Sequence, residues 1–473
     1  MVYRRFTKCS LALAALLTIT SNLDAQTNRF FVTDSSYMTK LGSEYRPEVD
    51  MDWDRPSAAF YPVSYKIADK LQNRATVRRE KNDAWFRPSG WLEMGYAWNS
   101  AKPASGRNTP LGFVDQHQEL QLNQLYLVLE GGTAKDDNES WSLDARVDLM
   151  FGTDHGFTTA SGLEVRRDGS QRWNSTPDPS ADEDYRGTPG NPRPYYGLAM
   201  PQIYLDVHTP WLQGMDLRMG HFYTNVGYES VMPLENFFYT HTMSMMYGQP
   251  FTHTGMMAST KLFDAMDISF GFTRGWDNWE DDAEGDISIA GGIGFNLEDS
   301  AFSVNFHSGD DFIGLDNDGN TLIGNVTIIT LNYTRNVTDN LTHALTADVG
   351  YGDGMQLHTS SASVSGARWY GITNYLTYEV GEKLSTGLRV EWFRDQDNSR
   401  VMPGAFSDHV SGGNYVNVSL GLNYRHNDRW TFRPEARWDW SDTKSEDLSV
   451  PGVFGDFQEN DTFTLSMDAI FTY

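Results

Sequence analysis

Two short clusters place acid, base and nucleophile types close together. Asp206-Val207-His208 sets a carboxylate and an imidazole two residues apart, on one face if the segment is a strand, as a general base and its orienting acid would need. His307-Ser308 followed by Asp310 and Asp311 holds the inventory of a Ser-His-Asp triad, but no nucleophile-elbow pattern accompanies it. Asp316-Asn317-Asp318-Gly319-Asn320 resembles a calcium loop in composition and lacks the sixth-position Gly and twelfth-position Glu of an EF-hand. The single cysteine, Cys9, precedes an apolar N-terminal stretch. If that stretch is removed, no disulfide, Cys-ligated metal or cysteine nucleophile remains. These clusters are read as strand and loop polarity, so no catalytic residue, metal or cofactor is expected.

A larger set of charged residues carries a different chemistry. Arg433, Glu435, Arg437 and Asp439 alternate with Phe432, Ala436, Trp438 and Trp440, while Arg389 and Glu391 alternate with Leu388, Val390 and Trp392. Asp144, Arg146 and Asp148 interleave with Leu143, Ala145, Val147 and Leu149 in the same way, and Arg218 and Lys261 lie in comparable segments. Charge repeated on one strand face is costly in a dry core and is accommodated in a water-filled lumen. These eleven residues are therefore the expected pore lining, with their alternate neighbours on lipid.

The elements that position them follow from period-two alternation. Sixteen such segments begin at Trp91, Leu120, Trp141, Ile203, Met215, Thr254, Met266, Ile287, Phe302, Val326, Leu341, Trp369, Leu384, Tyr415, Trp430 and Phe463. From the second segment onward, short links alternate with long links rich in Gly, Asp, Asn, Ser and Pro. That parity is the signature of an antiparallel transmembrane barrel with short periplasmic turns and long external loops, and a soluble sandwich has no reason to keep it. Trp430 and Trp440 share a face and stand ~23 Å apart along the membrane normal at ~45° tilt, near the spacing of aromatic girdles. The expected fold is all-β: a barrel of about 16 strands over residues 89–473 with a short N-terminal extension.

Composition agrees. The 473 residues carry a net charge of -26, with 63 acidic against 37 basic side chains, which argues against nucleic acid as a partner. No apolar run after the N-terminus is long enough for a spanning helix. Residues 1–25, with Arg4, Arg5 and Lys8 before Leu11 to Ile19 and then Leu23-Asp24-Ala25, read as a signal peptide. Residues 26–88 show no strand alternation and are left as a periplasmic or lumen segment. The chain ends on the alternation Phe463, Leu465, Met467, Ala469, Phe471, Tyr473, where Phe471 and Tyr473 resemble the assembly signal of outer-membrane barrels. Expected partners are outer-membrane lipid, the barrel-assembly machinery and small solutes or ions, and a homo-oligomer is compatible with the sequence.

Several stretches are similar to the OmpL-like β-barrel porin family of Gram-negative bacteria. They are Pro201-Gln202-Ile203-Tyr204-Leu205-Asp206-Val207, Leu217-Arg218-Met219-Gly220-His221-Phe222-Tyr223-Thr224, Gly227-Tyr228-Glu229, Asn236-Phe237-Phe238-Tyr239-Thr240-His241 and Gly248-Gln249-Pro250-Phe251-Thr252-His253-Thr254-Gly255. The resemblance implies a porin-like barrel in the outer membrane, with no catalytic residues to carry over. Within it the link Tyr223 to His253 is aromatic and Met-rich, and such a surface should not stay in water. Phe237, Phe238, Tyr239, Tyr247 and Phe251 are the expected constriction, set against the inner wall near Arg218; a loop capping itself is the alternative. Passive diffusion of small hydrophilic solutes with a modest cation preference is the expected function. The alternatives are a closed barrel whose acidic loops serve surface attachment or ligand capture, and an outer-membrane hydrolase.

Overall fold

In the computed structural model the described residues are 85–132, 140–166, 170–176, 185–188, 191–263, 265–280, 287–315, 321–353, 366–401, 412–444 and 451–473. The signal-peptide reading, the segment before Trp85 and the calcium-like 316–320 lie outside them.

Alternation of apolar and polar side chains gives each strand one face for lipid and one for the interior, and the strands pair in sequence order. They are β1 (Phe86–Asn99), β2 (Leu120–Gly132), β3 (Ser142–Gly152), β4 (Tyr185–Thr188), β5 (Asn191–Pro194), β6 (Gly197–Thr209), β7 (Met215–Tyr223), β8 (Thr252–Phe263) and β9 (Met266–Thr273). Then follow β10 (Ser288–Asn296), β11 (Ser300–Leu315), β12 (Thr321–Asn336), β13 (Leu341–Gly352), β14 (Ala367–Gly381), β15 (Leu384–Asp395), β16 (Gly413–Arg425), β17 (Trp430–Ser441) and β18 (Asp461–Thr472). All except the small β4–β5 hairpin join one closed antiparallel barrel of 16 strands, sealed by β1 against β18. Closure leaves no unpaired edge, the condition for crossing a bilayer with strands. No helix among the described residues is long and apolar enough to cross.

Exposure fixes which face is which. On β18, Leu465 and Met467 are 47% and 48% exposed, whereas Thr464 and Asp468 are 0% and 1% exposed. The apolar face is outside and the polar face inside, the reverse of a soluble barrel. Pro434 is accommodated by a gap: the β16–β17 register runs from Gly421↔Glu435 to Tyr424↔Phe432 and skips the two pairs between, where proline has no N–H to give. The β4–β5 hairpin is not anticipated by the sequence reading, and the 308–325 link is mostly strand, because β11 and β12 extend to Leu315 and from Thr321. Tyr473 closes the barrel seam: it exchanges backbone hydrogen bonds with Gly90 at 3.0 and 3.1 Å, and its hydroxyl donates to the Tyr126 carbonyl at 2.9 Å.

Candidate functional site: a segment clasped inside the barrel

The connection between β7 and β8, Thr224 to Phe251, enters the barrel. Its neck is closed by the Thr224 N–H donating to the Phe251 carbonyl at 3.0 Å. Apart from a 3-10 turn at Pro233–Glu235 and a π turn at Ser244–Gly248, it is irregular, so its backbone groups need partners from outside the segment. The inward residues of β15 and β17 supply them in alternating sign. Glu435 accepts from the Thr240 N–H at 2.8 Å, and Glu391 accepts from Met243 and Ser244 at 2.9 and 2.8 Å. Arg433 donates to the carbonyls of Pro233, Asn236 and Phe238 at 2.9, 2.9 and 3.1 Å. Arg389 and Arg437 donate to the Thr240 and His241 carbonyls at 2.5 Å each. The strand period sets two-residue steps of carboxylate and guanidinium, so acceptors for the segment's N–H groups and donors for its carbonyls stand next to one another on the inner wall.

The same charges are compensated among themselves. Arg389 lies 3.0 Å from Glu229 of the segment and 3.4 Å from Glu435; Arg433 lies 2.5 Å from Asp468 and 3.0 Å from Glu93; Arg437 lies 2.6 Å from Asp439. All are nearly or fully buried, so removing one partner would leave an uncompensated buried charge. Burial alone would push the Glu229 carboxyl up, but Arg389, His241 and the Thr242 N–H outweigh it and hold it well below the usual carboxylate range. His241, 3.4 Å from Glu229, is lowered by burial more than Glu229 raises it.

Aromatic side chains fill dents in the wall. A Cβ at inward Gly387 would stand 2.4 Å from the Phe237 ring, one at Gly421 3.0 Å from Phe238, and one at Gly95 2.3 Å from Cζ of Tyr239. The Arg389 guanidinium lies 4.7 Å over the Phe238 ring. Tyr247 and Phe251 sit apart from these, in an apolar cluster with Leu111, Phe113, Trp369, Phe393 and Phe454 at the long-loop end, where the Tyr247 hydroxyl donates to the Pro110 carbonyl. The expected position near Arg218 is corrected: Phe237, Phe238 and Tyr239 dock on β15, β16 and β1. The sockets there are glycines, whereas Arg218 is engaged by Asp206 at 2.8 Å through two bonds and lies 4.0 Å over Tyr204.

The other sequence-selected charges surround the remaining wall. Arg146 forms a double hydrogen bond to Asp148 at 2.8 and 2.9 Å and lies 3.4 Å from Glu130, while Asp148 accepts from Tyr126 at 2.6 Å and Gln202 at 2.7 Å. Asp144 is partly exposed, and exposed Lys261 is paired in register with Asp267. Six selected residues (Arg389, Glu391, Arg433, Glu435, Arg437, Asp439) therefore face inward yet lie beneath the segment. Glu93, Glu229 and the glycine sockets were not selected. Glu229 lies in a quoted motif, and the inward register of β15 and β16 could have pointed to Gly387 and Gly421.

Neither hydrolytic cluster assembles a triad. His208 bonds Asp216 at 2.7 Å while Asp206 serves Arg218. Although His307 lies 3.8 Å from Asp311, Ser308 bonds Thr327 at 2.6 Å on the opposite strand face. No group of three or more metal-ligating side chains occurs among the described residues.

A closed, polar-lined barrel of 16 strands with a segment clasped across its lumen defines a porin-type outer-membrane barrel. Residues 86–473 match the model of the family described as beta-barrel porin-2, OmpL-like, and the chain belongs to that family. No curated sequence matches. Similar solved structures include the outer-membrane channel DcaP of Acinetobacter baumannii, at 10% identity over 82% of this chain and 97% of that one, TM-score 0.50. An anion-selective porin from Comamonas acidovorans matches at 9% identity over 82% and 99%, TM-score 0.50, and OmpT of Vibrio cholerae at 11% over 82% and 97%, TM-score 0.49. At these identities the first two support the barrel fold. The protein is a porin of the cell outer membrane.

Proposed function

We propose that the chain passes small hydrophilic solutes by passive diffusion and that the Thr224–Phe251 segment sets the size limit. The observation that carries this is the ladder of β15 and β17, which satisfies the segment's backbone inside a polar-faced barrel. Single-channel conductance in planar bilayers tests it. Discrete steps that enlarge on deletion of Asn236 to Gln249 are expected. Steps unchanged by the deletion would overturn the constriction, and silence of both proteins would favour a closed barrel with capture by its loops.

Transport without catalysis fits Ser308, which faces away from the His307–Asp311 pair and bonds Thr327. Phe471 and Tyr473 would engage the assembly machinery, and oligomeric state is a matter for native mass measurement. The modest cation preference is retained for a specific reason: Arg218, Arg389, Arg433 and Arg437 are each held by acidic partners, so local arginines do not dominate the wall. Reversal potential under a KCl gradient decides, and an anion preference would refute it.

A further inference from the structure

We infer that the outer wall of the barrel, at the long-loop end of β14 and β15, holds a binding site for a phosphate-bearing lipid of the outer leaflet, with Arg394 as its main contact. The site lies outside the lumen and goes beyond the passage of solutes. Parity puts Arg368 and Tyr370 of β14 and Trp392 and Arg394 of β15 on the lipid face, since Trp369, Gly371, Phe393 and Asp395, which alternate with them, are buried. Arg394 stands one outward position beyond Trp392, about 5 Å nearer the loops at ~3.3 Å per residue and ~45° tilt. Aromatic side chains mark the edge of the apolar band. The guanidinium therefore reaches the level of lipid headgroups, while Val349 and Ile372, 61% and 40% exposed, offer acyl chains an apolar wall below it.

An arginine at that height could simply reach up to water. This one is held in place. Its Nε donates to Gln396 Oε1 at 3.0 Å, and the same oxygen accepts from the Tyr370 hydroxyl at 3.2 Å. The guanidinium plane is thereby oriented, and its two terminal nitrogens have no hydrogen-bond partner among the described residues. They form an open fork of the kind that grips two phosphate oxygens at once.

The immediate surroundings of the fork favour an anion. The cross-strand neighbours of Arg394 are Tyr370 and Asn414, both uncharged. Asp442, further along the same face, has both carboxylate oxygens on Asn414 at 2.6 and 2.8 Å, and Asn414 accepts from the Trp392 indole at 3.0 Å. Arg368 is the diagonal neighbour of Arg394, roughly 7–8 Å away between backbones and close enough for both long side chains to meet one headgroup. It is the weaker contact, because Asp397 lies 3.7 Å from its Nε and exposed Asp353 stands two residues after Tyr351, its partner in register. A ligand with a phosphate and acyl chains satisfies the fork and the apolar wall together, whereas a free anion satisfies the fork alone.

Native mass spectrometry on the detergent-solubilised full chain provides the test. The probes are lipid A, a diphosphorylated and acylated disaccharide, the same lipid stripped of its phosphates, and inorganic phosphate. Lipid A is expected to stay bound in preference to its dephosphorylated form. Its affinity should fall about tenfold in Arg394→Gln, through loss of a charge-assisted fork, and about threefold in Arg368→Gln, through loss of an exposed and partly paired charge. Arg394→Lys, which keeps the charge without the fork, should fall between Arg394→Gln and the native chain. Arg335→Gln, which removes an exposed arginine at the short-turn end of β12, should bind as the native chain does. Circular dichroism of each variant checks that the barrel wall is intact. Equal retention of the dephosphorylated lipid, no loss in both Arg394 variants, or an equal loss in Arg335→Gln would overturn the inference. Displacement of lipid A by inorganic phosphate would overturn it as well, because the site would then belong to the free anion.

Discussion

Gly387→Val should unseat Phe237. A Cβ there would stand 2.4, 2.7 and 2.9 Å from three ring carbons, against ~3.5–4.0 Å for ordinary carbon contacts. The ring must therefore move by at least about 1 Å, and valine's two methyls take the space it would move into. Overpacking of this kind costs about 1–3 kcal/mol. Truncating the ring removes the clash, so Gly387→Val and Phe237→Ala should be coupled by roughly 1–2 kcal/mol in a double-mutant cycle, with the double variant more stable than the sum of the singles predicts. Equilibrium urea unfolding in detergent micelles measures the cycle, and single-channel conductance reports whether Gly387→Val widens the lumen and Phe237→Ala in the same chain removes the gating noise of a displaced ring. Strict additivity would show that the ring does not occupy that socket, and the docking of the segment would have to be redrawn.

Three further outcomes are expected. Glu391→Leu leaves the Met243 and Ser244 N–H groups without their acceptor at a cost of roughly 1–3 kcal/mol each, so conductance should rise and become noisier; an unchanged trace would mean that Glu391 does not hold the segment. In a chain without other cysteines, Arg146→Cys should react with a water-soluble thiol reagent and Val147→Cys should not, and the reverse would invert the register of β3. His241 is held below its unfolded value, so docking is fully supported above about pH 6.5 and loses up to ~1.4 kcal/mol per unit as pH falls below it. Conductance should therefore increase between pH 7 and pH 5 in the native chain and stay flat in His241→Gln, whereas equal responses would remove His241 from the account.

Strand number and faces were legible because each rests on a local rule. Alternation in Phe432 to Trp440 fixes the inward set of β17 whatever the rest of the chain does, and the run to Tyr473 marks the last strand. The role of that inward set was not legible. Arg433 and Glu435 read as lining because their own strand says only that they face inward; that they lie beneath a connection some 200 positions earlier depends on pairing across the lumen. The aromatic content of Tyr223 to His253 announced an inward fold, but its landing place depends on Gly387, Gly421 and Gly95, residues whose importance lies in what they lack. The pairings of Asp206 with Arg218 and of His208 with Asp216 likewise join neighbouring strands, so a reading within one strand coupled the wrong two residues.

The distance along the chain between the segment and its clasp has a kinetic consequence. Thr240 meets Glu435 across 195 positions and Pro233 meets Arg433 across 200, whereas most barrel strands pair with the next strand in sequence. Contacts of such separation carry a large loop-closure entropy and form late, after the neighbouring hairpins have zipped together. The clasp exists only once β15 and β17 flank β16, so the segment docks on a stretch of wall already built. Refolding followed by pulsed hydrogen exchange should then show the amides of β15, β16 and β17 protected before those of Thr240, Met243 and Ser244.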